Sequence, residues 1–385
     1  MKDTFRVGGH SLTLLQNGAR FFPQLCADID AAQHSVHLET YIFAADETGR
    51  MVSQALQRAA QRQLAVRLLL DGFGSADLPQ DWTDELRMAG VEVQWFRREH
   101  GQFRLRRHRL RRMHRKLAVI DSKIAYIGGI NIVNDIPESQ DIDMPRLDFA
   151  VRVQGRLAHE VQEAMRRLWF SVRWVTLKKR IGHWRARLRT PQKTPANARV
   201  TLLLRDNLLH RHDIEQAYLQ AIRQAEREIV LAHAYFLPGI AIRHALQQAA
   251  RRGVRVVLLL QGRVEYRLQH YATLALHGQL LRAGIEIYEY RASYLHAKVA
   301  VVDGQWATVG SSNLDPFSLL LAREANLVVR DEPFARDLRK QVLRAVRSDA
   351  RRVEMVRRSP LVALLSLVSY GVIRMLVYLL ARQPH

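Results

Sequence analysis

The chain has 385 residues, 48% of them hydrophobic and 25% charged, which is too much apolar content for a disordered chain and enough for two domains. Lys and Arg number 59 against 37 Asp and Glu, a formal charge of +22, so the surface attracts polyanions, meaning nucleic acid or an anionic membrane. The single cysteine, Cys26, excludes an intrachain disulfide and a thiolate metal cluster.

The opening stretch, MKDTFRVGGHSL, lacks the charged-then-apolar pattern of a secretory signal, so the expectation is a protein on the cytoplasmic side. From residue 36 onward the chain repeats itself. VHLETYIF (36–43) parallels IVLAHAYF (229–236), VRLLLDG (66–72) parallels VVLLLQG (256–262), and MAGVEV (88–93) parallels RAGIEI (282–287). Between the β-rich runs lie MVSQALQRAAQRQ (51–63) and AIRHALQQAARRG (241–253), whose apolar spacing predicts helices. Each half therefore reads strand, helix, strand, helix, strand. That alternation predicts an α/β fold of two pseudo-symmetric domains, each a mixed sheet flanked by helices.

Each half then reaches the same pattern, H-x-K-x4-D-x6-G-x2-N. In the first it is His114, Lys116, Asp121, Gly128 and Asn131. In the second it is His296, Lys298, Asp303, Gly310 and Asn313. A lone His-x-Lys on a strand is ordinary surface decoration, but five matched residues occurring twice in the same order are not a chance match. On a strand, residues i and i+2 share a face, so each His and its Lys are expected to point the same way. If the repeats pack face to face, two imidazoles and two ammonium groups converge, and such a cluster needs an anion. A phosphodiester supplies one: the lysines neutralise its oxygens and the Asn131 and Asn313 amides donate to them. One imidazole attacks phosphorus while the other protonates the leaving alkoxide, through a phosphohistidine. Asn131 and Asn313 could instead cap turns, and Gly128, Gly129 and Gly310 read as backbone requirements.

These paired motifs resemble the phospholipase D superfamily, whose members share a duplicated HKD motif, over about residues 10–345. LETYIFAADETG (38–49), GGIN (128–131) and GSSNLDPFS (310–318) look like the shorter type of bacterial cardiolipin synthase, which lacks two N-terminal membrane helices. The resemblance implies an active site at the domain interface, no metal and no organic cofactor, His114 as nucleophile and His296 as acid. It also implies that Asp148 and Glu324 each orient a histidine, although a carboxylate among arginines is often only an ion pair. Asp121 and Asp303 belong to the catalytic motif, seven residues beyond their histidines, where they could act by holding the turn after the strand. The substrate implied is phosphatidylglycerol, converted to cardiolipin and glycerol. The alternative is a phospholipase D-type phosphodiesterase hydrolysing phospholipid or nucleic acid. A third, non-enzymatic reading, a basic membrane-binding protein, is disfavoured by two intact motifs.

Two basic tracts precede later elements: RREHGQFRLRRHRLRRMHRK (97–116), half Lys or Arg, and LKKRIGHWRARLR (177–189). The first reads as a headgroup contact or a solvated loop, the second as an interfacial segment or an exposed helix. TPQKTPANA (190–198) marks a boundary, giving domains at 1–190 and 198–345. Residues 346–385 form a basic and apolar membrane-associating segment. Within it, SPLVALLSLVSYGVIRMLVYLLAR (359–382) is the most apolar stretch, but a central Arg374 costs about 2.5–3.5 kcal/mol in a bilayer. Ser359, Ser366, Ser369, Tyr370 and Arg374 share one arc, which favours a helix lying in the interface over a buried helix or a true span. The apolar tail disfavours nucleic acid as partner and favours an anionic phospholipid membrane, bound peripherally on its cytoplasmic side. The sequence sets no oligomeric state.

Overall fold

The computed structural model describes residues 4–98, 111–136, 142–178, 198–206, 210–264, 267–315, 318, 321–355 and 359–382. Most of the 97–116 tract, nearly all of 177–189 and 190–198, and Arg357 and Arg358 lie outside the described residues. The chain forms two compact units. One comprises 1–135 and 149–202, the other 136–148 and 203–385.

In the first unit the order is β1 (Phe5–Val7), β2 (His10–Gln16), α1 (Asn17–Asp30), β3 (Ser35–Thr40), α2 (Glu47–Gln61), β4 (Ala65–Asp71), α3 (Gln80–Met88) and β5 (Glu92–Phe96). The short β6 (Arg112–Met113), β7 (Lys116–Ile120), β8 (Ile124–Gly128), β9 (Phe149–Gln154) and α4 (Leu157–Lys178) follow. The sheet runs β1-β2-β9-β8-β7-β3-β4-β5, with β3, β4 and β5 parallel and the remaining pairs antiparallel. Alternation along β4 explains why both faces are covered: Leu68 and Leu70 enter one core with residues of α1, α2 and α3, while Leu69 packs with Trp169 of α4 on the other face. Helix α2 starts at Glu47, four residues before the expected helix, because the Asp46 carboxylate caps it by accepting from the Gly49 N–H (2.8 Å).

In the second sheet and its flanking helices β10 (Val200–Arg205), α5 (Asp213–Gln224), β11 (Glu228–His233), α6 (Ile240–Arg251), β12 (Arg255–Gln261), α7 (Arg267–Arg282) and β13 (Glu286–Tyr290) come first. Then follow β14 (Lys298–Val302), β15 (Trp306–Gly310), β16 (Ala322–Arg330), α8 (Glu332–Ser348), β17 (Ala350–Arg352) and α9 (Pro360–Arg382). The sheet order β10-β16-β15-β14-β11-β12-β13-β17 repeats β2-β9-β8-β7-β3-β4-β5 of the first and adds β17 antiparallel at the end, again with three parallel strands, here β11, β12 and β13. The mixed sheets flanked by helices agree with the fold read from the repeat.

Two features differ from the sequence division. Residues 136–148 belong with the second unit because their end is laced to the segment before β14: the Leu147 N–H donates to the Tyr294 carbonyl and the His296 N–H to the Leu147 carbonyl (both 2.9 Å). Helix α9 does not stand apart but packs along α7, with Ile373 joining the core that holds Leu276 and Leu280. The middle of its polar arc faces inward, while Ser359 and Arg374 at its ends are exposed. Ser366 and Ser369 are buried, and the half-buried Tyr370 hydroxyl accepts from Arg243 Nη1 (2.9 Å). Its outer face carries exposed Leu361, Leu364, Leu365, Leu367, Val368, Val372, Met375 and Leu376. Among the described residues, no helix is long and apolar enough to cross a membrane.

Candidate active site

Both motif histidines sit just ahead of their strands, not within them: His114 two residues before β7 starts at Lys116, and His296 two before β14 starts at Lys298. The alternation argument therefore fails for the histidines, and a different contact joins each pair. Lys116 Nζ donates back to the His114 carbonyl (2.6 Å), and Lys298 Nζ does the same to the His296 carbonyl. The lysines are buried where their strands begin. The half-buried His114 ring lies 4.8 Å from the Tyr41 ring at an interplanar angle of 64°, and Lys116 Nζ is 5.2 Å from the same Tyr41 ring.

Asp148 and His296 are brought together. The carboxylate is buried, and its Oδ2 lies 2.6 Å from His296 Nδ1. Lys298 Nζ is 2.9 Å from the same nitrogen. One nitrogen cannot donate to a carboxylate and accept from an ammonium at once. The shorter contact to the carboxylate decides: Nδ1–H donates to Asp148, and Nε2 is the nitrogen left to give or take a proton. Glu324 is fully buried on β16 and accepts from the Ser311 hydroxyl (2.5 Å).

The motif aspartates stand at the far end of their strands from the histidines. Asp121 accepts from the backbone N–H groups of Gln33, His34 and Ser35 at 2.8–2.9 Å, pinning the entry to β3. Asp303 takes the same three bonds from Glu226, Arg227 and Glu228, at the entry to β11. Burial raises each carboxyl's pKa, but the three N–H groups outweigh it and hold both below the ordinary value. Both aspartates adopt positive φ, +51° and +53°, at the turn that ends each strand. Their side-chain oxygens bind backbone at the start of a neighbouring strand, β3 or β11.

Asn131 and Asn313 are buried, and each uses its side-chain oxygen on a backbone N–H, from Ile42 (3.2 Å) and Tyr235 (3.4 Å) respectively. That fixes the amide orientation and leaves the NH2 end as the donor. Gly128 is required by close packing, since a Cβ there would lie 2.5 Å from Ala150 Cα. Gly310 meets Asn326 in the same way.

Among the described residues, no group of three or more His, Cys, Asp and Glu lies close enough to hold a metal ion. The family model described as "Cardiolipin synthase, PLD-like domain" matches residues 25–169 and 218–345, both copies of the repeat. The chain belongs to the cardiolipin synthase family of phospholipase D-like proteins. Cardiolipin synthase B of Shigella flexneri is 38% identical over 364 residues, 92% of this chain and 84% of that protein. Cardiolipin synthase of Geobacillus kaustophilus is 31% identical over 339 residues, 85% of this chain and 65% of that one. The fold is shared with the crystal structure of a phosphatidylserine synthase from Haemophilus influenzae (TM-score 0.68, 15% identity, 99% of this chain and 97% of that one).

Three supports of this phospholipase D-like site escaped the sequence reading. Asp71 ends β4 and accepts from the Met113 N–H (2.7 Å), the residue before His114. Gln261 ends β12 and accepts from the Leu295 N–H (3.1 Å), the residue before His296. The signal was present in the aligned pair VRLLLDG and VVLLLQG, where one polar side chain closes an apolar run. The third is a buried ion pair, Arg115 to Glu39 (2.6 and 3.0 Å), between the His-x-Lys spacer and β3. In the second repeat the corresponding residues are Ala297 and Ala232, so both charges are dispensed with together.

Proposed function

We propose that the chain moves a phosphatidyl group from one phosphatidylglycerol to another, giving cardiolipin and glycerol, and that both motifs act on a single phosphodiester. The observation that carries this reading is the Asp148–His296 bond, which presets one imidazole's tautomer beside a lysine that the second motif places two residues on. The 38% identity to cardiolipin synthase B supports the phosphatidyltransferase activity. His114 forms a bond to phosphorus as the bond to the departing glycerol oxygen breaks, and His296, entering the step as an imidazolium with its Nδ1–H on Asp148, gives that alkoxide its Nε2 proton. The hydroxyl of the second phosphatidylglycerol then attacks phosphorus, the P–N bond breaks, and its proton passes to His296. Lys116, Lys298 and the Asn131 and Asn313 amides balance charge on the phosphoryl oxygens. Asp148 and Glu324 orient the imidazoles, while Asp121, Asp303, Asp71 and Gln261 hold the strands and loops that carry them.

We place the site of action peripherally at an anionic bilayer, on the cytoplasmic leaflet, and the second unit's surface supports the bilayer contact. An outward apolar face on α9, with exposed Arg351, Arg352 and Arg374 nearby, suits insertion among acyl chains beneath acidic headgroups. Each large apolar side chain is worth about 1.5–3 kcal/mol when fully removed from water.

The test is purified protein with phosphatidylglycerol vesicles. Wild type yields cardiolipin and glycerol, and His114→Ala or His296→Ala abolishes both products. DNA cleavage without lipid conversion would replace the reading with a nuclease, and release of phosphatidic acid alone would replace it with a hydrolase.

A further inference from the structure

Helix α9 meets the first turn of α6 through a cluster whose charges all have one sign. The Tyr370 hydroxyl oxygen accepts from Arg243 Nη1 (2.9 Å) and from Arg374 Nη1 (3.3 Å). A phenol oxygen has two lone pairs and one hydrogen. The two guanidinium groups take the lone pairs, and among the described residues nothing accepts the hydrogen. Neither arginine pairs with a carboxylate among the described residues. The helices gathered here cannot supply one: α6 reads IAIRHALQQAAR, α7 RLQHYATLALHGQLLR and α9 PLVALLSLVSYGVIRMLVYLLAR, without a single Asp or Glu.

Arg243 is only 9% exposed, and its Nε is buried without a partner. A guanidinium taken out of water without a counter-charge is costly, and a second one on the same oxygen adds repulsion. Burial alone would raise the Tyr370 pKa, but the Arg374 and Arg243 hydrogen bonds outweigh it and hold the phenol below its ordinary value. The chemistry that balances such a cluster is an anion with several acceptor oxygens, and a phosphate suits the forked guanidinium best.

The surroundings select a lipid phosphate over a free one. Arg374 is exposed, and the exposed Val372, Met375 and Leu376 stand beside it along α9. A phosphate at Arg374 and Tyr370 lies at the edge of this apolar face, which acyl chains can follow and from which inorganic phosphate gains nothing. None of the three residues bonds to a motif residue. Helix α6 follows β11, whose His233 pairs with Lys298 of β14, so a headgroup held here anchors the sheet that carries the second motif.

We propose that Arg243, Tyr370 and Arg374 form a binding site for the phosphodiester of an anionic phospholipid, with Arg374 and the Tyr370 O–H on the phosphoryl oxygens and Arg243 supplying charge from beneath. The inference rests on the reading of α9 as the membrane-facing helix. It gives that contact a preference for phosphate beyond its negative charge.

The test is flotation with vesicles of a neutral galactolipid, brought to the same zeta potential with either phosphatidylglycerol or oleate. All chains carry His114→Ala, so that no lipid is consumed. Tyr370→Phe and Arg374→Lys each keep the net charge. The parent chain should bind the phosphatidylglycerol vesicles about tenfold more tightly than the oleate vesicles, and each variant should bring the two affinities together, through loss of a charge-assisted hydrogen bond. A variant that merely loosens α9 weakens binding to both vesicles alike and keeps their ratio. A ratio kept in both variants, or equal affinities in the parent, overturns the site. A preference erased by millimolar inorganic phosphate at constant ionic strength overturns the lipid in favour of free phosphate. A parent chain that floats with neither vesicle overturns the membrane reading, and the site with it.

Discussion

Asp148 carries the most direct claim at the scale of single residues. Its carboxylate holds Nδ1–H of His296, so Asp148→Asn, which keeps the shape but offers an NH2 group in place of an acceptor, disturbs the tautomer that leaves Nε2 free. Turnover is expected to fall by about 10²–10⁴-fold while the melting temperature stays near that of wild type, and steady-state assay beside a thermal melt checks both. Two further histidines matter to stability and not to chemistry. His37 and His233 are buried, and burial pushes both down to about 3, helped by Arg67 and Arg115 at the first and by Lys298 at the second. The unfolded chain binds these protons near pH 6.5 and the folded one does not until near pH 3. Stability is therefore complete above pH 6.5 and declines as pH falls through that window, by up to about 1.4 kcal/mol per pH unit for each histidine. Denaturant melts between pH 7.5 and 4.5 check this, and His37→Phe should flatten the slope, since neither ring nitrogen of His37 has a hydrogen-bond partner to lose. The motif residues were legible because they recur. The aspartates' backbone role was less so, because a one-dimensional pattern does not show that a strand's far end lies beside another strand's start.

At the scale of elements, the two copies of the same supersecondary unit solve one packing problem in two ways. Glu39 on β3 meets Arg115 ahead of β7, whereas Ala232 on β11 has Ala297 ahead of β14. Breaking a buried pair strands a charge, so Glu39→Ala alone should cost about 3–5 kcal/mol of unfolding free energy. The double variant Glu39→Ala/Arg115→Ala, which reproduces the second repeat, should recover part of that loss in the same urea titration. A double variant as unstable as the sum of the singles would contradict the account. Strands and helices were largely readable, because apolar runs bounded by turns occur in the same order twice. The starts of β7 and β14 were misjudged by two residues. Side-chain alternation continues through His-x-Lys in the sequence, while the backbone before Lys116 and Lys298 is held instead by Asp71 and Gln261.

For the whole molecule, the proposed contact with an anionic bilayer draws on the charge of +22 and the outward apolar face of α9. The sequence supplied the helix and its polar arc. It did not supply the orientation, because an arc of Ser366, Ser369 and Tyr370 reads as water-facing until α7 is found against it. Leu364→Glu/Leu367→Glu places charge on the outer face without touching the buried one, and should weaken binding to phosphatidylglycerol vesicles more than tenfold in a flotation assay, with the residual binding lost on adding salt. Undiminished binding would move the membrane contact elsewhere. Above these stands the claim that two imidazoles serve one phosphorus through a covalent intermediate. Its most direct test is a rapid quench of the protein with phosphatidylglycerol labelled with ³²P, followed by mapping of the bound label. The account predicts an acid-labile label on His114, absent from His114→Ala and from His296→Ala. Label on any residue other than the two motif histidines, or cardiolipin formed by a chain lacking both, would contradict it.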